Sequence, residues 1–337
     1  MTNYIQHFRY LKNALQYGSL SKILNFARII VSYLLSLIKL EAHFTTKPYF
    51  ISIEPTDYCQ LECPECPVGI NKRKSGHKID FDVFKSIIND ISKDIFHVIF
   101  YFQGEPLLHK NLAEMIKYTH NAGIFTSTST NAQLLNNNNA KEIVLSGLDK
   151  IIISMDGVTQ DVYASYRVGG QLDLVLKGIE YINFWKKELH SVTPFVEVQF
   201  VVFKTNEHQL SEMRLFAKRL GVFRLSFKTA QLYNYEFGHP LLTTIPRYAR
   251  YKQMPDGRYV VKNSLPNRCF RAWSGAVVSS RGEVLPCCFD KDASHSYGCV
   301  IDTSFEAVYT GAKAQAFKHS LLNNRSQYVM CRNCTSR

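Results

Sequence analysis

Between residues 49 and 229 the spacing of apolar positions switches repeatedly between a strand-like and a helix-like period. Short runs rich in β-branched and aromatic residues, at 49–53, 97–102, 124–129, 150–154, 195–203 and 224–228, read as strands. Between them, stretches near 81–94, 111–122, 138–147, 172–189 and 207–220 gather their apolar residues on one helical face. In the first of these Phe81, Phe84, Ile88 and Ile91 recur at helical spacing behind Asp80, a residue suited to cap the helix start. The asparagine run at 136–139 reads as a turn followed by a helix cap. Strands alternating with helices predict an α/β fold in which a parallel sheet winds into a partial (β/α)6, TIM-like barrel over residues 49–230. In that class chemistry collects at the C-terminal strand ends, where Cys59, Gly104, Thr130, Asp156 and Lys204 fall.

The flanks follow other patterns. Residues 1–48 read as an N-terminal helical extension, with an apolar stretch at 29–38 interrupted by Ser32 and Ser36. A stretch of that length is ordinarily a helix packed on the barrel or its open edge. The alternative is peripheral membrane contact through residues 1–48, with Arg9, Lys12, Lys22, Arg28 and Lys39 touching anionic lipid. Residues 231–268, rich in Tyr, Pro and Arg, read as a linker crossing the barrel mouth. Residues 269–337 form a small α+β unit, with strand signals at 275–279 and 284–286 around Arg281 and Gly282, then a helix near 304–321.

With 46% apolar and 20% charged residues in 337, the chain is neither disordered nor a coiled coil. No uninterrupted apolar run reaches the roughly 18 residues of a membrane span, and residues 1–10 lack a signal-peptide pattern, so a cytoplasmic location is expected. The net charge of +12 is uneven: +5 over 1–48, zero over 49–230 and +7 over 231–337. Basic ends suit nucleic acid, an anionic membrane or an anionic substrate.

Nine cysteines change the picture more than the charge does. A reducing compartment disfavours disulfides, so clustered cysteines point to metal. Cys59, Cys63 and Cys66 stand at x3 and x2 spacing after the first strand; three thiolates can hold three corners of a cubane and leave one iron open. Zinc is the competing reading, with His77 as a fourth ligand. The second group comprises Cys269, Cys287 and the pair Cys331 and Cys334, with Cys288 an alternative to Cys287; Cys299 is left over.

In order along the strand ends, the chain resembles the radical S-adenosylmethionine (SAM) superfamily over residues 49–334. The resemblance rests on the cysteine loop, on Gly104, Glu105 and Pro106 after the second strand, on Ser129, Thr130 and Asn131 after the third, and on Ser154, Asp156 and Arg167 after the fourth. Glu65 departs from it, standing where the family often has an aromatic residue. The resemblance implies a 4Fe-4S cluster on Cys59, Cys63 and Cys66 that cleaves SAM reductively to a 5′-deoxyadenosyl radical, with flavodoxin or ferredoxin as reductant. It implies further that Gly104–Pro106 faces the methionine amine, Ser154 and Arg167 its carboxylate, and Ser129 and Asn131 the ribose.

The second group resembles the SPASM or shorter twitch region, through Cys269, twelve residues, Gly282, four residues and Cys287. That implies a second, auxiliary 4Fe-4S cluster on Cys269, Cys287, Cys331 and Cys334, zinc again being the alternative. An auxiliary cluster can accept an electron, so the expected enzyme is an oxidoreductase. Because 48 leading residues are few for a peptide-binding module, a small anionic or sugar-like substrate is favoured, with a peptide or protein maturase as the alternative. Asp290, Arg271 or a tyrosine of 231–259 is the expected base. Outside enzymology the competing reading is a zinc-stapled nucleic-acid-binding module.

Overall fold

The computed structural model describes residues 2–41, 47–70 and 75–335. Residues 42–46 of the helical extension and 336–337 of the C-terminal unit lie outside the described residues. Two helices lead, α1 (Thr2–Leu15) and α2 (Leu20–Lys39). The α/β repeat then runs β1 (Phe50–Ile53), α3 (Phe81–Ile91), β2 (His97–Phe100), α4 (Leu112–Asn121), β3 (Phe125–Thr130), α5 (Asn137–Leu145) and β4 (Lys150–Ser154). It continues through α6 (Gln160–Tyr166), α7 (Leu172–Glu188), β5 (Phe195–Val202), α8 (Leu210–Arg219) and β6 (Arg224–Thr229). All six strands pair in parallel in chain order. The caps behave as their residue types require: Asp80 accepts from the amides of Asp82 and Val83, and Asn136 from that of Asn139.

Beyond β6 come the hairpin β7 (Tyr251–Gln253) and β8 (Tyr259–Val261), helix α9 (Phe270–Ser274), and strands β9 (Gly275–Val278), β10 (Glu283–Leu285) and β11 (Gly298–Cys299). Helices α10 (Phe305–Thr310), α11 (Ala312–Asn324) and α12 (Val329–Arg332) close the described chain. Three sequence expectations change here. The stretch read as a linker contains its own hairpin, packed on Leu232 and Leu241. The helix expected near 304–321 is two, parted at Gly311, where the backbone is extended. The C-terminal unit is not separate in its sheet: β9 pairs in parallel with β1, giving one nine-stranded sheet ordered β11-β10-β9-β1-β2-β3-β4-β5-β6.

Side chains alternate between the two faces of each strand. Along β3, Thr126, Thr128 and Thr130 point outward yet remain buried, satisfied by Asp149, the Phe100 carbonyl and Glu105 respectively. Ser127 and Ser129 face the interior, as do Lys150 and Ser154 of β4 and Glu197 of β5; Lys150 and Glu197 form an ion pair at 2.6 Å. Helix α1 lies across the N-terminal end of the barrel. There Tyr17 and Asn13 both donate to Asp149 at 2.6 Å, and Tyr10 meets the rings of Phe125, Phe195 and Phe223.

Helix α2 corrects the reading of residues 20–39. Counting consecutive apolar residues breaks the stretch at its polar positions, but as a 20-residue helix it is long and apolar enough, by length and composition, to cross a membrane.

Candidate active site

Two thiol groups stand out, one in the loop at the C-terminal end of β1 and one around α9, β10 and α12. The first is the loop after β1, which holds Cys59, Cys63 and Cys66. Its shape is fixed by backbone bonds from Cys66 to the Cys63 carbonyl (3.1 Å) and from Ile70 to the Cys66 carbonyl (3.0 Å). Burial pushes the Cys59 thiol up to about 12 and raises Cys63 as well, so the protons must leave when metal arrives.

The turn after β2 is built against this loop. The Glu105 amide donates to the Tyr58 carbonyl at 2.8 Å. A Cβ on Gly104 would come 2.8 Å from the Thr56 carbonyl carbon and 2.9 Å from the Tyr58 oxygen, closer than real Cβ atoms approach backbone. Glycine is therefore needed for contact between the two loops. The buried Glu105 carboxylate accepts from Thr130 Oγ1 (2.6 Å), the Asn131 amide (2.8 Å) and the Leu107 amide (3.1 Å). It ties the ends of β2 and β3 together, and most of its acceptor capacity is used in doing so.

Asn131, expected at the ribose, reaches the cysteine loop: its Nδ2 donates to Cys59 Sγ at 3.5 Å and its Oδ1 accepts from Gln60. Arg167, expected at the methionine carboxylate, donates from Nε to Asp156 at 2.6 Å and from Nη1 to Cys63 Sγ at 3.9 Å. Burial pulls the guanidinium pKa down, but Asp156 and the Cys63 sulfur outweigh it, and the value is raised. Asp156 is fully buried and also accepts from the Val201 amide at 2.6 Å. Ser129 and Ser154 stand on adjacent strands facing the barrel interior, beside this network.

Sequence reasoning missed a second tie. Glu65, noted only as a departure, accepts from the Tyr233 amide at 2.6 Å and lies 3.3 Å from His239 Nε2. It fastens the cysteine loop to the segment after β6, which also bonds to Glu207 through Thr243 and Thr244. Nothing in the local pattern signals a partner so far along the chain.

Glu54, at the end of β1, was also missed. Its carboxylate accepts from the Gln103 and Ser280 amides, both at 3.1 Å, joining the ends of β2 and β9 to β1. Burial nevertheless raises it from 4.5 to about 7. The folded chain then binds this proton more tightly than the unfolded one, so the associated stability is full below about pH 4.5 and lost as pH rises towards 7. At ~1.4 kcal/mol per pKa unit the effect is about 3 kcal/mol. Glu54→Gln is expected to flatten the fall in melting temperature across that window, and an unchanged slope would refute this assignment.

The second thiol group is assembled by tertiary structure. Cys269 precedes α9, Cys287 follows β10, and Cys331 and Cys334 come from α12 and its end. All four line one small apolar hollow with Phe317, Leu321 and Arg325. Cys287 belongs to the hollow and accepts from the Phe289 amide at 3.3 Å. Cys288, its neighbour, is not among the residues lining the hollow. Gly282 takes φ +78° in the β9–β10 turn, which explains a glycine between the first two cysteines. Arg325 is buried, donates to the Arg268 carbonyl at 2.8 Å and reaches Cys334 Sγ at 3.5 Å, placing a cation beside the thiols. Among the described residues no three His, Cys, Asp or Glu groups close on a point the size of one ion; the four thiols surround a space instead.

The donor sets fit clusters: three thiols on a loop fit a 4Fe-4S core with one iron left open, and four around a hollow fit a fully ligated one. A loop of three thiols at C-terminal strand ends beside a buried arginine, with a four-thiol unit in the same sheet, is the donor arrangement of an iron–sulfur protein. Comparison names the class more closely. Residues 53–183 match the model of the Radical SAM superfamily, and residues 269–335 that of an iron–sulfur cluster-binding domain, SPASM. The chain belongs to the radical SAM superfamily and carries a SPASM domain; the class uses SAM, a 4Fe-4S cluster and auxiliary iron–sulfur clusters.

Among curated relatives, the chain is 25% identical over 279 residues to PqqA peptide cyclase of Bradyrhizobium diazoefficiens, covering 77% of this chain and 70% of that protein. It is 24% identical over 318 residues to the tungsten-containing aldehyde ferredoxin oxidoreductase cofactor-modifying protein of Pyrococcus furiosus, covering 86% and 87%. Among solved structures, Streptococcus suis SuiB bound to S-adenosylmethionine shares the fold with a TM-score of 0.65 at 16% identity, over 86% of this chain and 71% of that one. SuiB has also been solved with its precursor peptide SuiA, which aligns with a TM-score of 0.62 at 16% identity over 90% and 73%.

Proposed function

We propose that this radical SAM enzyme modifies a peptide or protein. The observation that carries the reading is the alignment with a peptide cyclase over 77% of this chain and 70% of that protein. This replaces the small anionic or sugar-like substrate as the favoured reading.

The shape of the site supports it. A cavity of about 310 Å³ lies between the segment 231–236 and the loop 289–295, bordered by Met330 and Asn333. It shares Phe289 and Met330 with the four-thiol hollow, and its Tyr233 is bonded to Glu65 of the three-thiol loop. A substrate seated there would lie between the two thiol groups. The charged side chains around it are Glu236, Asp290, Lys291, Asp292 and Arg332, so the +7 of residues 231–337 is not focused on the cavity. A mixed lining suits the alternating polar groups of a peptide better than a phosphate.

When bound, SAM and the first cluster supply a 5′-deoxyadenosyl radical for hydrogen abstraction, and a second cluster supplies a one-electron acceptor, which makes net substrate oxidation the favoured outcome. Cys59, Cys63 and Cys66 would hold the first cluster; Cys269, Cys287, Cys331 and Cys334 the second. Ser129, Ser154 and Arg167 would face SAM, with Gly104, Glu105, Pro106 and Asn131 shaping that end of the site. Of the expected bases, Arg271 has its pKa raised: burial lowers it, but Cys288, Cys287 and Tyr101 outweigh that, so it stays protonated. Asp290 spends both oxygens on the Ser294 and His295 amides. Tyr233 and Tyr235 line the cavity and are the remaining candidates. A flavodoxin or ferredoxin would deliver the priming electron.

The test is anaerobic incubation of the reconstituted protein with SAM, dithionite and peptides encoded beside its gene. A peptide product lighter by two hydrogens, formed with 5′-deoxyadenosine, is the expected result. Turnover of phosphorylated sugars with every such peptide left unchanged would overturn the proposal.

A further inference from the structure

Helix α2 is inside out for a helix in water. Its buried positions are Lys22, Asn25, Ile29, Ser32 and Ser36, which recur at helical spacing and form the face towards the barrel. That polar face is specifically bonded. Lys22 Nζ donates to the Gly123 carbonyl, Asn25 Nδ2 donates to the Lys47 and Asp94 carbonyls at 3.1 Å each, and Ser21 donates to the Lys93 carbonyl at 2.6 Å. These contacts fix the rotation of the helix. The opposite face carries Leu20, Ile23, Val31, Leu34 and Ile38, all exposed, Leu20 by 72% and Ile38 by 79%. Helix α1 extends the same character with exposed Phe8, Leu11 and Leu15.

Two further facts select what covers this face. At 1.5 Å per residue a 20-residue helix presents a stripe about 30 Å long, beyond the size of an incidental surface patch. In addition, residues 2–40 contain no Asp or Glu, while Arg9, Lys12, Arg28 and Lys39 are exposed. Turning 100° per residue sets Arg28 and Lys39 along one edge of the apolar stripe. A second copy meeting this face across a two-fold axis would bring like charges together with no acid to answer them. An anionic phospholipid surface supplies both the apolar layer and the opposite charge.

We propose that α1 and α2 dock the enzyme on an anionic membrane surface, the outward face of α2 lying in the headgroup–acyl boundary. Because α1 crosses the N-terminal end of the barrel, the three-thiol loop at the C-terminal strand ends then points away from the bilayer, and substrate reaches it from water. The docking is independent of which substrate the enzyme takes.

The experiment is flotation of the full-length, cluster-loaded protein with vesicles of phosphatidylcholine alone or of equimolar phosphatidylcholine and phosphatidylglycerol. The protein is expected to float with the mixed vesicles. Ile23→Gln, Leu34→Gln and Ile38→Gln combined should cut that binding at least about tenfold without lowering the melting temperature, because these side chains are exposed. Arg28→Glu with Lys39→Glu should cut it roughly fivefold or more per residue. Wild-type protein that stays unbound with both vesicles would overturn the proposal. So would a stable dimer, unbound to vesicles, that the glutamine variant converts to monomer, since it would assign the face to a second copy.

Discussion

Exchanging Cys63 for alanine is expected to abolish dithionite-dependent release of 5′-deoxyadenosine while leaving the four-thiol cluster loaded. Cys63 is the most buried thiol of its loop and is the one that Arg167 reaches. Alanine removes only the sulfur; the bond from the Cys66 amide to the Cys63 carbonyl remains. The loop keeps its course but can no longer hold a cubane by three corners. Iron should fall from about eight to about four per chain. The four thiols of the other site come from residues 269–334, so their iron should survive. Cys287→Ser should show the reverse, losing the second cluster, whereas Cys288→Ser should retain both because its thiol lies outside the hollow. Retained SAM cleavage in Cys63→Ala, or equal iron loss from Cys288→Ser and Cys287→Ser, would break the assignment.

Gly104→Ala is expected to have nearly as large an effect through a different route. The added methyl group meets the backbone of Thr56 and Tyr58, and backbone cannot rotate away as a side chain can. Forcing the two loops apart costs about 1–3 kcal/mol. The strain falls on the bond from the Glu105 amide to the Tyr58 carbonyl, and so on the residue just before Cys59. Thiols displaced by even part of an ångström lose cluster geometry, so the first cluster should load poorly and SAM cleavage should drop at least about tenfold. Iron counting with SAM-cleavage assays on the same preparation checks this. Normal loading and activity would show that the loops can part freely, and that the glycine serves some other need.

The order of strands and helices was legible because each element carries its own period: Phe84, Ile88 and Ile91 bury one face of α3, and Asp80 caps it. The three-cysteine loop was legible because its members are close in sequence. Helix α6 escaped notice because it is only seven residues long, and the gap at Gly311 because extended backbone leaves no mark on helical spacing. Glu105, Asn131 and Arg167 were picked out by motif order, yet their partners could not be read. Glu105 bonds 25 and 26 residues ahead to Thr130 and Asn131, and Arg167 reaches back 104 residues to Cys63. Such pairs exist only once parallel strands bring successive C-terminal ends side by side.

The sequence by itself determined the alternation that makes a parallel barrel, the thiol chemistry of both cysteine groups, and the glycines at 104 and 282. These are local properties: hydrophobic period, side-chain type and backbone freedom. Tertiary structure decided which neighbouring cysteine enters the second hollow, that β9 joins the barrel sheet beside β1, and that Glu65 belongs to the segment after β6. It also decided the orientation of α2. Read along the chain, Lys22, Asn25, Ser32 and Ser36 look like the solvent face of a helix, but the carbonyls waiting at Lys47, Asp94 and Gly123 draw Lys22 and Asn25 inward. Which face a helix turns to the protein depends on the groups it finds there, and those come from strand ends and loops far away in sequence.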